Sequence, residues 1–167
     1  MIAFMHELAR RAPRKGKFKV CFVGGGSAVY LGWRRSSNDI DVHSEQDVVF
    51  RDIQEIKEQL NINIEFARPE DFVPPLQGSS RRHVHIETIG PIAFYHYDPY
   101  AQILSKIVRG FRRDVEDARA FVQNGMVDPV ELRSLVADIP DSAFASYPTL
   151  SHAGIEKAVE AFLHTLK

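Results

Sequence analysis

The chain has 167 residues, of which 44% are hydrophobic and 26% charged, and its formal net charge is -1. This composition predicts a globular protein with a sizeable core, and it excludes a disordered chain and a whole-molecule charge that would attract nucleic acid or membranes. The single cysteine, Cys21, excludes a disulfide framework. We expect a cytoplasmic protein, because the sequence shows no signal-peptide pattern and no apolar run near the ~20 residues of a membrane span.

The first hundred residues alternate between helical and extended patterns. Helical spacing of apolar residues predicts a helix in IAFMHELARR, and the β-branched and aromatic run FKVCFV predicts a buried strand. We then expect a short helix capped by Ser27, a strand in NDIDVH, a helix in VVFRDIQEIKEQL, a strand in NINIEFA and a long loop at 68–82. HVHIETI and IAFYHY follow as a hairpin-like pair. These elements predict an α/β core at 1–97 that includes the N-terminal helix.

The remainder of the chain is helical in character. Asp98-Pro99 and Asp128-Pro129 are helix-start signals, because aspartate caps a helix and the first helical position does not need the N–H that proline lacks. They predict helices at about 99–110, 112–123 and 129–137, with a last helix capped by Ser151. We expect residues 98–167 to form a helical part packed on the core as a single compact unit. The fold class is α/β (α+β), a mixed sheet flanked by helices.

Residues 22–45 place a glycine turn close to paired acids. Asp39 and Asp41 share one face of their strand, where a spacing of roughly 6–7 Å gives a repulsion of about 2–3 kcal/mol at an effective dielectric of ~20. Bound Mg²⁺ would relieve this repulsion and leave sites open for phosphate oxygens. Backbone N–H groups at Gly25, Gly26 and Ser27, together with the serine hydroxyl, would then hold phosphates. The combination predicts phosphoryl or nucleotidyl transfer.

Each of these features has an alternative interpretation. Glycines after a strand are often a simple tight turn, and the acidic pair could instead form surface salt bridges with Arg34 and Arg35. A Walker loop is excluded because no Lys-Ser/Thr follows the glycines. A dinucleotide fingerprint nearly fits at Gly24 and Gly26, but Val29 stands where that motif needs a small residue.

The stretch GGSAVYLGWRRSSNDIDV resembles the signature of the DNA polymerase β-like nucleotidyltransferase superfamily, in which Gly-Gly/Ser and a short helix precede an Asp-x-Asp motif bounded by apolar residues. The segments IEFARPEDFVPPL and YHYDPYAQILSKI are similar to small prokaryotic nucleotidyltransferases near the abortive-infection toxins of toxin–antitoxin systems. The resemblance covers about residues 18–125. It implies a nucleotidyltransferase fold, an NTP substrate, a hydroxyl acceptor on RNA (such as tRNA), protein or a small molecule, and a toxin or antitoxin partner.

The resemblance also implies a two-metal mechanism. Asp39 and Asp41 would hold two Mg²⁺ ions, for which Mn²⁺ is a substitute, and a third carboxylate on a neighbouring strand would position the acceptor or its base. Glu65 is our choice for this acid, although the family more often has the shorter aspartate there. Glu87 is the reserve candidate and Asp71 a weaker one.

The helix after Asp98 supplies cations. Helical spacing places Gln102, Lys106, Arg109 and Arg113 on one face. The resemblance implies that Lys106 binds the triphosphate, with Arg109 assisting, whereas the alternative is a solvated face with internal ion pairs.

Further candidates rank lower. The aromatic residues Tyr95, His96 and Tyr97 could stack a nucleobase, although aromatic residues at such positions usually belong to the core. Two function classes therefore stay open. One is a Mg²⁺-dependent nucleotidyltransferase, and the other is a catalytically silent binding or regulatory module with the same fold.

Overall fold

The structure, a computed structural model, describes residues 1–32 and 39–166. It divides into two units. The sheet unit comprises Met1–Ala67 and His83–Tyr97, and the helical unit comprises Arg68–Arg82 and Asp98–Lys167. One division between the two units falls between Tyr97 and Asp98. The loop at 68–82, which the sequence analysis places within the α/β core, belongs instead to the helical unit.

The described residues of the sheet unit form a five-stranded mixed sheet and three α-helices. Its elements are α1 (Ile2–Arg11), β1 (Phe18–Val23), α2 (Gly24–Tyr30), β2 (Asp39–His43), α3 (Ile53–Leu60), β3 (Asn63–Phe66), β4 (Val84–Ile89) and β5 (Ile92–His96). The strand order is β3-β2-β1-β5-β4. The pairs β1–β5 and β2–β3 are parallel, whereas β1–β2 and β4–β5 are antiparallel. This arrangement confirms the predicted mixed α/β fold.

The core of the sheet unit lies between the sheet and the helices α1 and α3. It includes the fully buried side chains of Phe4, Leu8, Phe22, Ile56 and Phe94. The Phe22 ring contacts Phe4 edge-on and stacks on Phe94, with centroids 6.1 Å and 6.0 Å apart. Burial on this scale explains why the amphipathic pattern of α1 was a reliable signal, because a short helix is stable only when its apolar face is packed.

The helix α2 differs from its prediction. It begins at Gly24, so Ser27 lies inside the helix and is not its cap. The chain passes directly from β1 into α2 because Gly24 adopts φ +58°, a conformation that glycine reaches without steric cost. The predicted continuation through Trp33 and Arg34 lies outside the described residues.

The helical unit contains α4 (Pro99–Arg109), α5 (Arg112–Gln123), α6 (Pro129–Ala137) and α7 (His152–His164). The predicted caps are confirmed: the Asp98 carboxylate accepts from Tyr100 N–H, Asp128 accepts from two N–H groups, and the Ser151 hydroxyl accepts from Gly154 N–H. None of the helices in the described ranges has the length and apolar character needed to cross a membrane.

A buried ion pair explains why the segment 68–82 belongs to the helical unit. Arg82 donates to both carboxylate oxygens of Asp98, at N–O distances of 2.7–3.1 Å, and Asp98 is completely buried at the start of α4. Farther along the chain, the Tyr147 hydroxyl donates to the Glu70 carbonyl at 2.6 Å. These contacts are non-local, so the sequence pattern did not indicate them.

Candidate functional site

The two aspartates of the Asp-x-Asp motif lie on one face of β2. Asp39 and Asp41 are half-buried, whereas Ile40 and Val42 between and after them are buried in the core. This is the predicted alternation, which follows from the opposite orientation of successive strand residues. Arg34 and Arg35, the alternative salt-bridge partners, lie outside the described residues.

Glu65 lies beside this acidic pair on the neighbouring strand. In the parallel pairing of β2 with β3, Asp41 is in register with Glu65 and Asp39 with Asn63. Adjacent strands are about 4.8 Å apart, so the three carboxylates start from neighbouring backbone positions on one surface. The Glu65 side chain is exposed. The structure therefore brings together the three acids to which the resemblance assigns chemistry.

Asn63 links two of these acids, a role that no motif in the sequence indicated. Its side-chain amide donates to Asp39 Oδ1 at 2.6 Å and to Glu65 Oε1 at 3.2 Å. An amide NH₂ group that donates to two carboxylates orients both and reduces their mutual repulsion. The alternation in NINIEF was a usable signal, because it puts Asn63 on the same face as Glu65.

Gly24 lies against the carboxylate of Asp41. A Cβ atom at Gly24 would lie 2.6 Å from Asp41 Oδ2, closer than real Cβ contacts allow. Val23, the preceding residue, is in register with Asp41 across the antiparallel pairing of β1 and β2. The absence of a side chain at Gly24 thus gives Asp41 its position, a role that the sequence analysis did not assign to this glycine.

The predicted phosphate-binding turn is part of α2. Gly25 and Gly26 lie in its first turn, where backbone N–H groups have no acceptor within the helix. Ser27 differs from its prediction, because its side chain is 0% exposed and its hydroxyl donates to the Phe22 carbonyl at 3.1 Å. This hydroxyl is engaged inside the sheet unit and is not the exposed phosphate donor that the sequence analysis predicts.

His96 completes this buried contact. Its Nδ1 lies 3.0 Å from the Ser27 hydroxyl oxygen, and its ring packs edge-on against Tyr30 with centroids 5.4 Å apart. Burial lowers the pKa of His96 from 6.5 to about 4, so the imidazole is neutral at pH 7. At 3% exposure, His96 has no free face for the nucleobase stacking that its aromatic neighbours suggested.

The predicted phosphate-binding cations, Lys106 and Arg109, lie in the helical unit with counter-charges from α5. Lys106 is 4% exposed, and its Nζ lies 2.8 Å from Asp117 Oδ2 and 3.4 Å from Asp114 Oδ1. The Nε of Arg109 lies 3.2 Å from Asp114 Oδ2. The internal ion pairs agree with the alternative interpretation, but Lys106 is buried and does not lie on a solvated face. A phosphate contact from Lys106 would require it to leave Asp117.

Neither of the other two candidates for the third acid lies on a strand that pairs with β2. Glu87 lies on β4, and both β1 and β5 separate that strand from β2 in the sheet. Asp71 belongs to the helical unit, where its carboxylate accepts from the backbone N–H of Arg68 at 2.9 Å. Glu65 is the only one of the three on a strand that pairs with β2.

The donor set fits an open magnesium site and not a closed protein cage. Among residues 1–32 and 39–166, no group of three or more His, Cys, Asp or Glu side chains is arranged so that it could hold a metal ion. Mg²⁺ is usually held by one or two carboxylates together with water and substrate phosphates, which is the chemistry that Asp39 and Asp41 offer. Gly24 adds a surface without a side chain beside the Asp41 carboxylate.

Comparison with known proteins identifies one protein family that matches the sequence. No curated protein and no solved structure matches the sequence significantly. The family described as "Nucleotidyltransferase of unknown function (DUF6036)" matches residues 1–164. Because this match covers nearly the whole chain, the protein belongs to this nucleotidyltransferase family.

Proposed function

We propose that the protein is a Mg²⁺-dependent nucleotidyltransferase that moves a nucleoside monophosphate from an NTP to a hydroxyl acceptor. The observation that carries this proposal is the register of Asp41 with Glu65 on adjacent parallel strands, with Asp39 on the same face. Family membership supports the reaction class. The acceptor classes are RNA, including tRNA, protein and small molecules.

The proposed reaction is a substitution at the α-phosphorus of the NTP. The acceptor hydroxyl oxygen forms a bond to this phosphorus, the bond to the oxygen that bridges the α- and β-phosphates breaks, and pyrophosphate leaves. Glu65 orients the hydroxyl and accepts its proton. Two Mg²⁺ ions held by Asp39 and Asp41 would supply Lewis-acid activation of the hydroxyl and neutralise charge on the triphosphate.

The remaining residues of the site position these groups. Asn63 holds the carboxylates of Asp39 and Glu65 in one arrangement through its two hydrogen bonds. Gly24 leaves room for Asp41, and the N–H groups of Gly25 and Gly26 are the proposed donors to the phosphates. Preorganised donors and ligands of this kind reduce the reorganisation that the reaction would otherwise require.

The experiment that tests this proposal offers the four NTPs, each labelled at the α-phosphate, to the protein in cell extract with Mg²⁺. We expect one or more of them to label an acceptor, and treatment with RNase or protease identifies the acceptor class. Parallel reactions with γ-labelled NTPs separate the two reaction types. Transfer of γ-label without α-label would show phosphoryl transfer and contradict the proposal.

Substitutions connect the activity to the acidic pair. The double variant Asp39→Asn with Asp41→Asn is expected to transfer no label, whereas Asp47→Asn, which changes an exposed aspartate outside the site, keeps wild-type activity. Equal transfer by the double variant would reject the assigned roles. If the wild-type protein transfers no label with either Mg²⁺ or Mn²⁺, the silent binding or regulatory module is the better interpretation.

A toxin–antitoxin partner is the part of the proposal that rests on the resemblance alone. If the protein is a toxin, its expression arrests growth of a bacterial host, and the Asp39→Asn, Asp41→Asn variant does not. Equal growth of the two strains at equal protein levels would contradict the toxin assignment.

A further inference from the structure

The buried contact between His96 and Ser27 has a defined hydrogen-bond direction. The Ser27 hydroxyl has one proton, and it donates this proton to the Phe22 carbonyl at 3.1 Å. The hydroxyl oxygen must therefore accept from His96, whose Nδ1 is 3.0 Å away. The geometry assigns the proton of the neutral imidazole to Nδ1 and leaves Nε2 without one.

This chain of hydrogen bonds joins α2 to two strands of the sheet. His96 is in register with Phe22 across the parallel pairing of β5 and β1, and the Phe22 carbonyl also accepts from the backbone N–H of Tyr97 at 2.9 Å. The imidazole contacts α2 at two positions one turn apart, through the Ser27 hydroxyl and the Tyr30 ring. His96 therefore contacts the same face of α2 twice.

The position of α2 determines the surroundings of Asp41. Gly24 is the first residue of α2, and its Cα is so close to Asp41 Oδ2 that no side chain fits between them. A shift of α2 relative to β1 would move Gly24 and open or close this contact. The packing of His96 on α2 therefore affects the position of the Asp41 carboxylate, which is proposed to bind metal.

We propose that His96 is a positioning residue, which as the Nδ1-protonated neutral imidazole holds α2 through Ser27 and thereby keeps Gly24 against Asp41. Its role in nucleotide binding rests on the proposed function. His96 itself contacts neither substrate nor metal in this scheme. The sequence motifs gave no indication of this role, because His96 and Ser27 are 69 positions apart in the chain.

The first test determines the tautomer of His96 in the wild-type protein. Two-bond ¹⁵N–¹H correlation spectra at pH 7 distinguish a protonated from an unprotonated ring nitrogen. We expect a protonated Nδ1 and an unprotonated Nε2. A proton on Nε2 alone would overturn the proposal, because Nδ1 could then only accept a hydrogen bond. Protons on both nitrogens would contradict the neutral state that the proposal assigns to His96.

The second test uses substitutions that keep or remove the donor. In His96→Asn the amide nitrogen can take the place of Nδ1, whereas in His96→Gln it reaches the place of Nε2, and His96→Leu has no donor. We expect the Leu31 amide, which donates to the Ser27 carbonyl, to exchange about tenfold faster in the Leu and Gln variants than in the wild-type protein and the Asn variant. The amide of Ala12 at the end of α1 is the reference and should not change.

The third measurement is the affinity for the four NTP analogues with a methylene group between the α- and β-phosphates, in the presence of Mg²⁺. We expect the Leu and Gln variants to bind about tenfold more weakly and the Asn variant to bind within about twofold of wild type. Equal exchange and affinity in all variants would overturn the positioning role. If the wild-type protein binds no analogue, the proposed function fails, and the tautomer and amide exchange still decide whether His96 positions α2.

Discussion

Substitution of Gly24 by alanine tests the link between the glycine turn and the acidic site. The new Cβ would lie 2.6 Å from Asp41 Oδ2, whereas ordinary contacts begin at 3.4 Å, so the carboxylate must move by about 0.8 Å. Because that oxygen is at the end of a side chain, the movement costs little stability. It displaces a proposed metal ligand, however, and a displacement near 1 Å can reduce catalysis by on the order of 10²-fold.

Alanine at Gly24 also has a free-energy cost from the backbone conformation, and a matched control variant measures this cost. Gly24 has φ +58°, and alanine in this left-handed region is less stable than glycine by about 1–2 kcal/mol. Gly90, in the turn between β4 and β5, has φ +55°, and a Cβ atom there would have no described residue within 4 Å apart from its two chain neighbours. Gly90→Ala therefore reproduces the backbone cost without any contact with Asp41.

Urea unfolding and Mg²⁺-dependent transfer of α-label from NTP are measured for both variants. We expect the free energy of unfolding to fall by about 1–2 kcal/mol in each, and label transfer to fall by on the order of 10²-fold in Gly24→Ala alone. Transfer by Gly24→Ala at the level of Gly90→Ala would refute the reasoning, because Asp41 would then tolerate the displacement.

Three further predictions concern other parts of the protein. Lys106→Met should lower the free energy of unfolding by about 3–5 kcal/mol in a urea titration, because Asp114 and Asp117 lose a buried partner, and a loss below about 1 kcal/mol would contradict this. The folded-state pKa of His96, about 4, is below the unfolded value of 6.5, so the unfolded chain binds more protons between these pH values. The neutral imidazole makes its full contribution to the free energy of unfolding above pH 6.5, and this contribution falls by about 3 kcal/mol as the pH drops through 4. Urea titrations of the wild-type protein and His96→Asn across this pH range would measure the difference. Glu65→Gln should reduce label transfer by on the order of 10²-fold and leave the thermal midpoint unchanged, because the side chain is exposed; an unchanged rate would exclude it as the base.

Local signals in the sequence predicted much of the secondary structure. The Asp98-Pro99 and Asp128-Pro129 starts are helix starts in the structure, because capping depends only on residues within one turn. The alternation of Asp39 and Asp41 with buried residues follows from strand geometry alone. The start of α2 was predicted four residues late, at Ala28 and not at Gly24, because the preference of serine for capping positions did not indicate that Ser27 points into the core.

The sequence by itself determined the strands and helices, the common face of Asp39 and Asp41, and the nearby glycine turn, since each depends on neighbours along the chain. Only the tertiary structure decided that Glu65 is in register with Asp41, that Asn63 bridges two acids, and that Lys106 is paired inside its own unit. The physical reason is that strand order, register and the partners of buried charges depend on packing between distant segments. Hydrophobic periodicity shows which face of an element is buried, but it does not show what that face meets.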